Sequence, residues 1–321
     1  MRVYLDDERT TPDGWVRVYW PDEAVALLET GQVEELSLDH DLGDDARGTG
    51  YDVVLWVEAA VALRGFVPPR MTVHSANSSA RQKMEAGIGA IEALARSRAA
   101  AAADDALLAT VQAAIVDLDG TMVDTVGDFE QALARTLAEL GLPPVDRAFI
   151  ARTVGRGSMN LLRETLAHVG GAPELLDAAW THYQRHYAAV NGTHADVYPG
   201  VAEGLAAMRA RGWQLACVTN KPRAFALALL EAKGLRPFFA QVFGGDSFER
   251  HKPDPLPLIR TCEALGTRPS RTLMVGDSRN DAEAARAAGC PVVLVSYGYN
   301  HGEPVADARP DRVIERLDVL A

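Results

Sequence analysis

A chain of 321 residues and 34.5 kDa is long for one domain and comfortable for two, and its 48% hydrophobic content supplies ample material for buried cores. A formal net charge of −12 argues against a partner such as nucleic acid, whose phosphate backbone calls for clustered Lys and Arg. No apolar run approaches the ~20 residues that cross a bilayer, so a membrane is not an expected partner either. Cys217, Cys262 and Cys290 lie far apart without CxxC spacing, which removes a disulfide framework and a zinc site. The N-terminal MRVYLDDER enters a strand with no signal-peptide pattern, and the expected location is cytoplasmic.

In chain order, RVYL (2–5) reads as a strand ending in Asp6-Asp7-Glu8, and PDEAVALLETG (21–31) as a short helix closed by Gly31. EELSLDHDL (34–42) is a strand running into acids, followed by the turn GDDARGTG (43–50) and an apolar helix over 51–65. Pro68-Pro69 breaks the chain before strand RMTVHS (70–75), and another helix starts near Ser78. Alternating β and α elements imply a parallel sheet with helices outside, whose ligands gather at the carboxyl ends of the strands. Asp6, Asp7, Asp39, His40, Asp41, His74, Ser75 and Asn77 all fall at such ends.

The Ala-rich stretch ARSRAAAAADDALLATVQ (95–112) has no strand signal and reads as a helical spacer or the frayed tail of the preceding helix. The expected division is therefore a first unit over 1–96, a linker over 97–112 and a second unit over 113–321. The second unit opens on strand QAAIVD (112–117), continues through an almost wholly helical stretch (127–196), and returns to strands at 214–219, 240–245, 272–277 and 291–296. A helical block inserted after the first strand of an α/β core predicts a cap over 127–196 on a Rossmann-like core made of 113–126 and 197–321. The fold class expected throughout is α/β.

Four short signals end four of those strands: DLDGTMVD with Asp117 and Asp119, VTNK with Thr219 and Asn220, HKPDP with Lys252, and VGDSRND with Asp277 and Asp281. Their chemistry converges on a phosphomonoester, whose dianion repels nucleophiles unless a metal and a cation spread its charge. Asp117 can attack phosphorus to form a covalent intermediate. Asp119 can protonate the leaving alcohol and then activate water. Asp117 with Asp277 gives hard oxygen ligands suited to Mg²⁺. Thr219 can hold phosphoryl oxygens, Asn220 beside it is a further substrate-binding candidate, and Lys252 supplies a compact positive charge. Asp281 either joins or orients the metal shell or caps the helix that it opens.

These four signals, in order, resemble the haloacid dehalogenase superfamily of phosphatases over about residues 113–321. Finer strings, TNKPRAFALALLEAKGL, FGGDSFERHKPDPLPL, VGDSRNDAEAARAAGC and SYGYNHGE, resemble its phosphoglycolate phosphatase family. The resemblance implies an α-helical cap, Mg²⁺ dependence and clearance of 2-phosphoglycolate. It also implies Asp117 as nucleophile, Asp119 as acid and base, and a metal held by Asp117, the Asp119 carbonyl and Asp277. Phosphatases for N-acetylmuramic acid 6-phosphate and other sugar phosphates share most of these strings and form the alternative, with a small phosphorylated substrate in every case. A regulatory protein that senses or processes a phosphate through its first unit is a further alternative.

Plainer readings stand beside these. DLDGT as an EF-hand would need Gly at its sixth position and Glu at its twelfth, where Met122 and Asp128 stand. His182 and His186 have metal-compatible i, i+4 spacing, but HYQRH lacks the HExxH glutamate and reads as packing or surface histidines. Gly155-Arg156-Gly157 reads as a turn, or as a cap element presenting Arg156 to a substrate carboxylate.

The first unit resembles a response-regulator receiver in its acid pair Asp6-Asp7, in Asp39 and in Ser75, but no strand ending in Lys follows Ser75 before the linker. DHDLGDDARGTGYD and VHSAN are more similar to a shortened receiver-like group described as cyclic-phosphate-processing. That resemblance implies His40 and His74 as acid/base groups with Asp6, Asp7, Asp39 and Asp41 around a cation. A second hydrolytic site, a phosphorylatable or ligand-sensing regulator, and a dimerisation or structural module all remain open at this point.

Overall fold

The computed structural model describes residues 1–320, with side chains at all of these but positions 45, 100 and 103–105. Ala321, the last residue assigned to the second unit, lies outside the described residues. The chain divides into two compact units, Met1–Ala106 and Leu107–Ala321.

The first unit runs β1 (Arg2–Leu5), β2 (Val16–Val18), α1 (Pro21–Glu29), β3 (Glu35–Leu38), α2 (Gly50–Arg64), β4 (Arg70–Val73) and α3 (Ser78–Thr110). All four strands are parallel, in the order β2-β1-β3-β4. Three were read from the sequence. The fourth, β2, is a three-residue edge strand, too short for its alternation to stand out. Leu5 pairs with Leu38 and Leu38 with Val73, so Asp6, Asp39 and His74 leave the sheet at one level. Val3, Leu5, Leu36 and Leu38 pack on Val53, Val57 and Val61 of α2 and on Met84 and Ile91 of α3. Helix α3 continues through the Ala-rich stretch, as expected of a segment rich in strong helix formers.

The second unit begins with β5 (Ala113–Val116) and β6 (Val123–Asp124), then the helices α4 (Val126–Glu139), α5 (Arg147–Thr153), α6 (Ser158–His168) and α7 (Leu176–Val190). The chain returns through β7 (Asp196–Val197), α8 (Val201–Ala210), β8 (Gln214–Val218), α9 (Arg223–Ala232) and β9 (Gln241–Phe243). It finishes with α10 (Leu256–Leu265), β10 (Thr272–Gly276), α11 (Arg279–Ala288), β11 (Val292–Val295) and β12 (Arg312–Ile314). The parallel core sheet has the order β12-β11-β10-β5-β8-β9, with β5 near its centre. Strands β5, β10 and β11 are buried at every residue, which is why they read as continuous apolar runs. Their alternate side chains feed two cores, Ala114 and Val116 on one face and Ile115 on the other.

Helices α4–α7 form the cap around Phe129, Leu133, Ile150, Leu161, Tyr183 and Tyr187. Where the chain leaves the core and returns to it, β6 and β7 pair antiparallel, a link that the sequence pattern did not reveal. His182 and His186 both turn to Glu139, at 2.6 and 3.0 Å, so they serve packing between α7 and α4.

Candidate active site

The strand order places the ends of β5, β8 and β10 side by side. Asp117 and Asp119 follow β5, Thr219, Asn220 and Lys221 follow β8, and Asp277 follows β10, with Asp281 in the first turn of α11. Lys252 comes from the loop between β9 and α10. Its buried ammonium lies 2.9 Å from Asp117 Oδ1 and 2.7 Å from Asp281 Oδ1, and donates to the Val218 carbonyl at 2.7 Å. Burial works against its charge, but Asp117 and Asp281 outweigh that and push its pKa up.

Asp117, Asp277 and Asp281 are all buried, and one oxygen from each lies within 4.8 Å of the others. Lys252 pairs with Asp117 and Asp281, and Asp277 has no ion pair among the described residues, which leaves negative charge in a dry place. Burial accordingly pushes Asp117 up to about 7; Lys252 opposes this, and Asp281 and Asp119 add to it. Asp277 is driven well above its ordinary value by burial, then by Asp281 and Asp117. A hard divalent cation is the charge such a set of oxygen donors lacks, and the residues fit one.

The donors around these acids differ. Asp281 Oδ2 accepts from the Ser278 hydroxyl at 2.8 Å and the Ser278 N–H at 3.1 Å, while its Oδ1 takes Lys252. Asp277 accepts from the Tyr299 N–H at 2.7 Å and the Thr121 hydroxyl at 3.3 Å. Glycines let the backbone close on it: a Cβ at Gly298 would sit 2.1 Å from Asp277 Cβ. One at Gly120, where φ is +84°, would sit 2.3 Å from Asp277 Oδ2.

The cap completes the site. Asp119 Oδ1 accepts from the Thr125 hydroxyl at 2.7 Å and from Lys221 Nζ at 2.8 Å. Lys221 Nζ also donates to the Tyr187 hydroxyl of α7 at 2.5 Å and lies over the Phe129 and Tyr187 rings. The Asn220 amide bridges core and cap, donating to the Lys252 carbonyl at 2.8 Å and the Gly155 carbonyl at 2.9 Å. A cavity of about 30 Å³ lies between Asp117, Asp119, Thr219 and Lys221 on the core side and Gly157 and Leu161 on the cap side. Arg156 is exposed and lines instead an outer cleft of about 1010 Å³.

In the first unit, buried Asp6 and Asp39 share Arg9, whose Nη1 lies 3.3 and 2.6 Å from them. His74 Nε2 is 3.0 Å from Asp6 Oδ2, its Nδ1 is 2.7 Å from the Ser37 hydroxyl, and its ring stacks on Tyr4. Burial lowers the His74 pKa against the pull of Asp6. Burial would raise Asp6, but the N–H groups of Arg9 and Glu8, then His74, hold it below its ordinary value. Among the described residues, Asp7, Asp41 and Ser75 make no hydrogen bond or ion pair to Asp6, Asp39 or His74. His40 joins through its backbone N–H, which donates to Asp39 Oδ1 at 2.7 Å.

A family model described as haloacid dehalogenase-like hydrolase matches residues 111–289, more than half of the chain. The chain belongs to the haloacid dehalogenase-like hydrolases. A second family model, the cyclic-phosphate processing receiver domain, matches residues 1–90. The phosphoglycolate phosphatase of Thiobacillus denitrificans is 41% identical over 210 residues, 64% of this chain and 92% of its own. That of Cupriavidus necator (the plasmid protein) is 44% identical over 210 residues, 65% and 90% of the two chains. A crystal structure from Haemophilus somnus 129pt, described as a predicted phosphoglycolate phosphatase, is 30% identical. It covers 65% of this chain and 96% of its own, with a TM-score of 0.63.

Within this haloacid dehalogenase-like unit Lys221 is a site residue that the sequence pattern does not single out, although it stands in the string VTNK. Nothing local marks Lys221 as a site residue, because its partners Asp119 and Tyr187 lie 102 and 34 positions away. Tyr299 carries no local mark either: it reaches Asp277 through its N–H, 22 positions away, and Asp124 through its hydroxyl at 2.8 Å, 175 positions away.

Proposed function

We propose that this protein is a Mg²⁺-dependent phosphomonoesterase that hydrolyses 2-phosphoglycolate to glycolate and phosphate. The observation that carries the reading is the buried set of Asp117, Lys252, Asp277 and Asp281 at the strand ends. The similarity to the phosphoglycolate phosphatases of Thiobacillus denitrificans and Cupriavidus necator supports the same substrate.

Asp117 and Asp277, with the Asp119 carbonyl, would hold Mg²⁺, which when bound supplies charge neutralisation for the phosphoryl oxygens and a fixed orientation for the ester. Asp281, whose oxygens are engaged by Ser278 and Lys252, fixes the loop and the lysine instead. Thr219 and the N–H groups at the end of β8 hold the phosphoryl group over Asp117. An Asp117 carboxylate oxygen bonds to phosphorus as the ester P–O bond breaks, and the departing glycolate oxygen takes a proton from Asp119. Asp119 then takes a proton from water, whose oxygen bonds to phosphorus as the Asp117–phosphorus bond breaks and the carboxylate is freed. Lys252 opposes the burial that raises the Asp117 pKa, favouring its charged form.

Phosphate release in Mg²⁺ from 2-phosphoglycolate, N-acetylmuramic acid 6-phosphate and a panel of sugar phosphates tests the reading, with Asp117→Asn as control. A kcat/KM for 2-phosphoglycolate far above the rest, absent in the variant, supports it. Preference for a sugar phosphate keeps the mechanism and removes the substrate. No helix among the described residues is long and apolar enough to cross a membrane, and the three buried, free cysteines fit a reducing cytoplasm.

For the first unit the reading is processing of a cyclic phosphate, supported by the cations Arg9 and Arg17 around Asp6 and by its partner His74, whose pKa burial lowers. Loss of cyclic-phosphodiester hydrolysis in His74→Ala supports it, and unchanged hydrolysis removes His74 from the chemistry.

A further inference from the structure

Lys221 is a buried charge that the phosphoryl chemistry of Asp117, Asp119 and Lys252 does not call for. Its side chain is 2% exposed, and a cation is taken out of water at a cost that falls only with counter-charges. Asp119 supplies one of them at 2.8 Å. An ammonium has three N–H donors; those of Lys221 reach Asp119 and Tyr187, and the third has no partner among the described residues.

Lys221 is also the sole cation among the described residues that line the small cavity over Asp117. Lys252, which lines the outer cleft instead, pairs with Asp117 and donates to Asp281 and the Val218 carbonyl. Arg156 lies outside it, on the outer cleft. On the cap side, α6 is preceded by Gly157, which has no side chain to cap the N–H groups of its first turn, and Gly157 and Ser158 line the cavity. The partial positive charge of those N–H groups adds to that of Lys221.

We propose that Lys221 is the specificity residue that binds the substrate's carboxylate, and that the substrate class is a short phosphorylated carboxylic acid. The inference rests on the phosphatase reading above and names the residue that selects its substrate. A carboxylate entering between Asp117 and Asp119 meets repulsion from both, and Lys221, already paired to Asp119, can take it on its third donor. The aromatic faces of Phe129 and Tyr187, 4.7 and 4.6 Å away, hold the ammonium in place for this. Because Lys221 and Asp117 face one cavity of about 30 Å³, the carboxylate and the phosphoryl group must be close together in the substrate.

The test compares 2-phosphoglycolate with ethyl phosphate, which has the same two-carbon ester and no carboxylate. The ratio of their kcat/KM values cancels any effect of Lys221 on Asp119 that is common to both. In Lys221→Met the ratio should fall at least about tenfold, mainly through KM for the acid, the size expected for loss of a charged hydrogen bond. Lys221→Arg should retain most of it, and Arg156→Ala should leave it in place. If Lys221→Met abolishes turnover of both esters, binding decides without chemistry. Asp117→Asn should bind 2-phosphoglycolate at least about tenfold more tightly than ethyl phosphate, and adding Lys221→Met should erase the difference. A ratio unchanged in Lys221→Met, or one lost in Arg156→Ala instead, overturns the assignment and leaves the phosphatase reading intact. A wild-type protein that hydrolyses ethyl phosphate without favouring the acid overturns both the substrate and the assignment.

Discussion

The buried acids should make the stability of the metal-free protein depend on pH in a direction opposite to that of a salt-bridged carboxylate. Burial raises the Asp117 pKa from 3.8 to about 7 in the metal-free protein. A folded-state value above the unfolded one contributes stability that is fully present below about pH 4 and is lost as pH rises through about 7. At 1.36 kcal/mol for each pKa unit the loss is about 4 kcal/mol at neutral pH, of which about 2 kcal/mol falls between pH 5.5 and 7.5. For a domain of this size that is about 4–8 °C in Tm. Scanning calorimetry at the two pH values, with and without Mg²⁺, reads it directly. The metal-free second unit should lose stability against Asp117→Asn as pH rises, and the Mg²⁺-induced gain in Tm should be larger at pH 7.5 than at 5.5. An equal gain at both pH values, or a difference from Asp117→Asn that stays flat, would refute the reasoning.

Other perturbations have equally definite outcomes. Gly298→Ala drives a Cβ into Asp277 and should weaken Mg²⁺ affinity at least about tenfold, measured as the Mg²⁺ concentration for half-maximal activity. Lys252→Met leaves Asp117 and Asp281 buried without their cation, and should cost about 3–5 kcal/mol of stability in denaturant titration, besides abolishing turnover. His74→Ala removes one hydrogen bond each from Asp6 and Ser37 and should destabilise the first unit by about 1–3 kcal/mol, read by hydrogen exchange in β1 and β3.

The core strands were legible because parallel strands buried on both faces read as unbroken apolar runs, and each ends in a polar residue that the topology carries to one edge. Short edge strands gave no such signal. Arg312–Ile314 is three residues flanked by charges, pairs with Val293–Val295 and buries only Ile314 in the core. Asp117, Asp119, Lys252 and Asp277 could be named from the sequence because each stands in a string with its own local character. What each does to the others was not legible there. Asp281 reads equally as ligand or helix cap until Ser278 and Lys252 are seen to occupy its oxygens. Asn220, expected at the substrate, spends its amide on joining Gly155 of the cap to the Lys252 carbonyl. Such pairings depend on chain segments brought together by the fold, and no local spacing encodes them.

The central claim is that Asp117 attacks the phosphorus of 2-phosphoglycolate. The most direct measurement is a rapid acid quench of Asp119→Asn protein mixed with Mg²⁺ and ³²P-labelled 2-phosphoglycolate, followed by peptide mapping. Label that is released by hydroxylamine and lies on the peptide carrying Asp117 is the result this account predicts. Glycolate and phosphate formed by the wild-type protein, with no label on Asp117 in either protein at any quench time, would contradict it.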